Sequence, residues 1–300
     1  MSYIRRVQYP VGTRFTAYTD FQVNYLNYRS GWPIPNTEVW VGDDLWMKTN
    51  SIGCKGRDLD PDAGVIGFFG DSSTFGMAFD RRAADSWPSH VSLPGYQVLN
   101  AAVEGHAFDR ICARYAELRQ QLDFSAVVIG GTWHNLVYND CSEDAWLSSF
   151  TQFSAAHVLA ICTLPTSLIP ASSERGIDDL IQGRAGRKPF LAWGDWDTSA
   201  AGSRAAYEGV LRYNQFVRRY CRKTGAILVD LHSVYRPASY DDIPDMFLDP
   251  AHARPELYPA LAECVNRALA GRLKKASHPI AASPTPAGAH EMNHNVYPLW

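Results

Sequence analysis

Residues 67–76 read GFFGDSSTFG: an apolar run stops at a glycine, an acid follows, and Ser72, Ser73 and Thr74 stand before the next glycine. Hydroxyls in that place have two uses. Serine and aspartate cap helices, and a serine becomes a nucleophile once an imidazole takes its proton and a carboxylate fixes the imidazole tautomer. The second use needs partners, and they stand further along: Gly105 in VLNAAVEG, Asn135 in GGTWHN, and Asp249 with His252 in LDPAH. Asp249 and His252 share one short turn, so one segment can present both. The oxyanion of a tetrahedral intermediate requires convergent N–H donors. The backbone amides of Ser72 and Gly105 and the Asn135 carboxamide qualify, and glycine at 105 permits a close backbone approach. Asp71 beside the serine, and Trp133 and His134 beside Asn135, stand as supporting residues.

Rival chemistries are weaker. His232 in VDLHSVY, with Asp230 near it, is a second candidate base whose simpler duty is structural. His106, His134, His252 and Asp71 comprise a conceivable metal set, yet no HxxxH or HxH spacing supports one. The glycines around Ser72 lack the lysine of a phosphate loop, and GxGxxG is absent.

These residues need elements to position them. Short apolar runs of strand length recur at 64–70 (GVIGFFG), 96–102 (YQVLNAA), 126–131 (AVVIGG), 157–165 (HVLAICTLP) and 225–231 (GAILVDL). Continuous rather than alternating, they read as buried parallel strands. Amphipathic stretches fall between and after them, near 107–122, 142–156, 204–222 and 255–273, the last with Leu257, Leu261, Val265 and Leu269 at helical spacing. The alternation predicts a doubly wound α/β sheet, in which ligands bind beyond the carboxyl ends of the strands. Each candidate above sits just after a strand or just before the last helix.

Three regions fall outside this pattern. Residues 1–63, with Tyr25, Tyr28, Trp32, Trp40 and Trp46, read as an irregular or hairpin extension packed on a main domain over 64–275. Residues 166–203 form a long connection of the kind that serves as a lid. Residues 276–300 read as a flexible tail.

The totals exclude several classes. At 300 residues, 46% hydrophobic and 20% charged, the chain can bury a substantial core. A formal net charge of -3 without basic runs argues against nucleic acid as a partner. No run of about 18 apolar residues points to a membrane span, and the N-terminus lacks a signal-like apolar stretch, so the expected location is cytoplasmic. The six cysteines, Cys54, Cys112, Cys141, Cys162, Cys221 and Cys264, are scattered without CxxC spacing and read as reduced core thiols.

Taken together, the four fragments resemble the SGNH hydrolases, also called GDSL-type esterases and lipases, in order across roughly residues 50–272. FFGDSSTFG carries Ser72 in the nucleophile's place, with Ser73 where the name-giving leucine stands. VLNAAVEG carries Gly105. VVIGGTWHN carries Asn135, with Trp133 in place of a glycine and Leu136 in place of an aspartate. DPAH matches the D-x-x-H pair, and NSIGCKGRD upstream is similar to the lead-in of bacterial members. The resemblance implies a three-layer flavodoxin-like fold, acyl ester hydrolysis or transfer, and no metal or organic cofactor. The expected activity is serine-dependent hydrolysis of a small-molecule or carbohydrate ester. An acyltransferase with the same triad and an inactive binding protein on this fold are the alternatives, and a homo-oligomer is a possible assembly.

Overall fold

Between Thr37 and Lys48 two short runs, TEVWV, rich in β-branched and aromatic residues, and DLWMK, flank a Gly42–Asp43 turn, the signature of a hairpin. The computed structural model describes residues 4–11, 31–76, 85–133, 136, 142–154, 156–166, 200–239, 242–248 and 251–273. In it β2 (Thr37–Val41) and β3 (Asp44–Lys48) form that hairpin, and β1 (Arg5–Tyr9) adds in parallel beside β2. The described part of the extension thus carries a three-stranded sheet. Val39 and Met47 pack against Phe75 and Ala102, so this small sheet rests on the segments that follow two strands of the main sheet.

The main sheet contains β4 (Gly64–Gly70), β5 (Tyr96–Asn100), β6 (Phe124–Gly131), β7 (Leu159–Cys162) and β8 (Ile227–Val229), all parallel, in the order β5-β4-β6-β7-β8. Counted within this sheet the order is 2-1-3-4-5, the flavodoxin-like arrangement, whose switch point lies between β4 and β6. The expected doubly wound sheet is present, and every apolar run named above contains one of its strands except 126–131, which lies within β6.

Helices cover both faces. Along β6, Val127 and Ile129 point to one side and Ala126 and Val128 to the other, as period two requires. The first side packs on α2 (Phe108–Leu118), α3 (Glu143–Thr151) and α4 (Ala200–Thr224) through Phe108, Tyr115, Trp146, Phe150, Tyr213 and Phe216. The second packs on α7 (Tyr258–Leu269) through Leu261, Val265 and Leu269, and on Trp87 in a 3-10 turn, Trp87–His90. Three one-turn helices complete the chain's order: α1 (Ser72–Phe75) after β4, then α5 (Leu231–Val234) and α6 (Ile243–Met246) after β8.

Cys54, Cys112, Cys162 and Cys221 are buried and unbridged, and burial pushes the Cys54 and Cys221 thiols up to about 11. Among the described residues no helix is long and apolar enough to cross a membrane. The 276–300 tail, Tyr25, Tyr28, Cys141 and all of the 166–203 connection except Thr166 and the opening of α4 lie outside the described residues.

Candidate active site

At the carboxyl end of β4 the backbone leaves the sheet at Asp71, whose extended conformation caps α1 and hands the chain to Ser72. Asp71 is fully buried and works in two directions. Its Oδ1 accepts from the Ser73 amide at 2.9 Å and the Ser73 hydroxyl at 2.7 Å, and its Oδ2 accepts from the Trp133 amide at 2.6 Å. One carboxylate therefore closes the turn that carries Ser72 and fastens the segment after β6 to it. The cap is Asp71, with the Ser73 amide as the donor that pins it.

Thr74 acts by shape. A Cβ on Gly70 or Gly130 would collide with the Thr74 side chain, so glycines at the ends of β4 and β6 let α1 settle directly on the two central strands.

The second and third fragments are tied to the first by main-chain and side-chain bonds. The Val103 amide donates to the Gly70 carbonyl at 3.1 Å, and the Thr132 hydroxyl donates to the His106 carbonyl at 2.8 Å. Gly105, between them, has φ +71°, a left-handed conformation that glycine adopts without strain. The histidine arrives from the far end of the chain. The chain on its two sides pairs antiparallel: Phe247 bridges Ala253, the Leu248 amide donates to the His252 carbonyl, and the Arg254 amide donates to the Met246 carbonyl. This presents a buried His252 whose Nε2 lies 2.8 Å from Ser72 Oγ, across 180 residues of sequence.

A buried serine hydroxyl in hydrogen-bond contact with an imidazole is the proton-transfer half of nucleophilic catalysis. The rival histidine is placed otherwise. His232 lies at the start of α5, bonded to the Leu164 backbone; burial and then the Arg218 and Arg236 charges lower its pKa. Asp230 is engaged elsewhere as well. Burial disfavours its charge, yet hydrogen bonds from Arg218, Thr163 and Ser233 and the Arg218 charge hold its carboxyl down to about 2. His106 also has a packing role, its ring edge-on to Trp32 at 5.3 Å with Arg110 over the same indole. Of the extension's aromatics, Trp32 thus reaches the residue after Gly105, whereas Trp40 donates to Glu38 in the small sheet. Among the described residues no three His, Cys, Asp or Glu side chains are grouped to hold a metal ion. Asp249, His134 and Asn135 lie outside the described residues.

In solved structures this architecture has a counterpart in a Bacteroides fragilis protein assigned as an acylhydrolase: TM-score 0.51, 17% identity, covering 72% of this chain and 90% of the other. The two chains share their fold. A lipase/acylhydrolase from Enterococcus faecalis and a GDSL-like lipase from Bacteroides thetaiotaomicron score 0.47 and 0.49, at 18% and 13% identity, covering 72% and 70% of this chain and 100% and 89% of theirs. No protein-family model and no curated protein matches the sequence.

Sequence reasoning passed over the groups that hold α1 from behind. The Ser73 carbonyl accepts from Trp87 Nε1 at 3.1 Å, and the Thr74 and Phe75 carbonyls accept from Asn100 Nδ2 at 3.3 and 3.4 Å. Lys55 supplies the Phe75 and Gly76 carbonyls. Asn100 closes β5 inside the quoted VLNAAVEG fragment, and Lys55 lies in NSIGCKGRD, so the signal was polar residues inside otherwise apolar or turn-like motifs.

Proposed function

We propose that this protein is a serine-dependent acyl ester hydrolase acting on a small-molecule or carbohydrate ester. The observation that carries the reading is the 2.8 Å contact between His252 Nε2 and Ser72 Oγ, both buried and both at the carboxyl edge of a parallel sheet. The Ser72 proton passes to His252 Nε2 as Oγ bonds to the ester carbonyl carbon, and the carbonyl π pair moves onto oxygen. Collapse of that oxyanion expels the alcohol, which takes the proton from His252 and leaves an acyl-Ser72. Water repeats the sequence and releases the acid. Asp249, three residues before His252 in sequence, is the proposed orienting carboxylate. The Ser72 and Gly105 amides and the Asn135 side chain are the proposed oxyanion donors. The acylhydrolase assignment of the Bacteroides fragilis neighbour is in keeping with this reading.

A fluorophosphonate tests it, because the reagent needs an activated hydroxyl and a site that accepts a tetrahedral adduct. Label is expected on Ser72 by peptide mapping, and Ser72→Ala is expected to abolish it together with ester turnover. Adduct on Ser73, or label surviving Ser72→Ala, overturns the assignment. Mass spectrometry with a panel of acyl esters then identifies the donor, and discharge of the adduct by an added hydroxyl or amine acceptor in preference to water would mark transfer.

A further inference from the structure

α1 is a single turn of four residues, too short to stabilise itself. Its C-terminal carbonyls have no helical partners and need others. Lys55 Nζ meets that need at Phe75 and ties it to its surroundings: it donates to the Phe75 carbonyl at 2.8 Å, to the carbonyl of the cap residue Gly76 at 3.1 Å, and to the Asp85 carbonyl, just before the 3-10 turn, at 2.8 Å. It also sits 4.6 Å from the centre of the Phe75 ring. The loop that presents it is fixed in turn. Asn50 Oδ1 accepts from the Ile52 and Cys54 amides, Arg114 donates to the Ile52 and Gly53 carbonyls, and the Lys55 amide donates to the Asn100 carbonyl. Lys55 is 5% exposed, and burial pushes its ammonium down to about 7, against the opposing pull of the Glu104 and Asp85 carboxylates. Glu104, itself buried, is the residue before Gly105.

We propose that Lys55 is a positioning residue for the nucleophile: by clamping three main-chain carbonyls behind α1 it keeps Ser72 Oγ on the line to His252. This rests on the acyl-transfer reading above. A lysine with only a stabilising role would leave the reactivity of the folded molecules unchanged when lost. A positioning lysine would not, since misplacement of a reacting atom by about 1 Å costs on the order of 100-fold in rate.

The test measures fluorophosphonate labelling rates of the full chain as wild type, Lys55→Met and Lys55→Arg, with the final extent of label counting the folded, competent molecules. Hydrogen exchange of a peptide spanning 71–76 is followed in parallel. Lys55→Met removes three hydrogen bonds and a buried charge together, so its stability change has opposing parts. The rate per labelled molecule is the deciding quantity. It is expected to fall by about 10- to 100-fold, with faster exchange in 71–76. Lys55→Arg, which keeps charge and N–H donors, is expected to recover most of the loss. Wild-type rate and wild-type protection in Lys55→Met overturn the proposal. If that variant does not fold, a wild-type rate in Lys55→Gln, whose shorter arm cannot reach all three carbonyls, does the same. Absence of label on wild-type Ser72 would defeat the acyl-transfer reading and this proposal together, whereas label on wild type with unaffected variants defeats this proposal alone.

Discussion

Replacing Asp71 by asparagine changes one atom in a buried site, and the structure says what that atom does. Oδ1 takes two donors from Ser73 and Oδ2 takes the Trp133 amide at 2.6 Å, with Asp71 fully buried. In the orientation that preserves the cap, the asparagine amide oxygen still accepts from Ser73, because asparagine caps as well as aspartate. Its NH2 then faces the Trp133 N–H, leaving two buried donors without acceptors at about 1–3 kcal/mol each. In the flipped orientation Trp133 keeps its acceptor and the Ser73 amide loses its cap, about 1 kcal/mol, with the NH2 forced against that same amide. The side chain will take the cheaper arrangement, so the expected destabilisation is about 2–4 kcal/mol. Urea unfolding checks this through the midpoint, provided the slope matches wild type. A thermal scan should show a fall of about 4–16 °C, at about 2–4 °C per kcal/mol for a body of this size. A change below about 0.5 kcal/mol, the scatter of neutral surface substitutions, would refute the reasoning, since it would mean that the Trp133 contact is absent in solution.

Two more outcomes follow from the same residues and their surroundings. Asn135→Ala is expected to lower kcat by about 10²–10³ with KM little changed, because an oxyanion donor acts only as charge develops; a rise in KM alone would make Asn135 a ground-state binding residue. Asp230, held down to about 2 in the folded chain against about 3.9 unfolded, contributes stability that is complete above pH 4 and is lost as pH falls toward 2. Acid titration of unfolding should therefore be shallower in Asp230→Asn than in wild type, and identical slopes would remove Asp230 from the acid response.

The sheet was legible because its strands are buried on both faces and so read as unbroken apolar runs, with VVIGG of β6 giving two cores their side chains. α2, α3, α4 and α7 were legible from their period, to within a few residues at each end. At the site, chemistry identified Ser72 and His252 by type alone, since 180 residues separate them and no periodicity spans such a gap. The supports were harder. Asp71 was recognised as holding the nucleophile's turn, but its bond to the Trp133 amide depends on where β6 ends relative to β4. Thr74 stood only as one more hydroxyl of the quoted turn, whereas its contribution is its fit against Gly70 and Gly130. Nothing in local spacing reports a fit between two strands and a turn.

The same limit explains Lys55, Asn100 and Trp87. A helix of twelve or more residues satisfies most of its carbonyls by itself, and its sequence shows how; a one-turn helix satisfies almost none. In α1 only the Ser72 carbonyl is met from within the turn, by the Gly76 amide at 3.0 Å. The others are met by side chains from the loop before β4, from the end of β5 and from the 3-10 turn. The carbonyl end of the turn that carries Ser72 is therefore held by side chains spread over residues 55–100. It follows that substitutions behind α1 should slow acylation without abolishing it, while substitutions in front of it, at Ser72 or His252, should abolish it. That graded pattern distinguishes a nucleophile held by the fold from one held by its own helix.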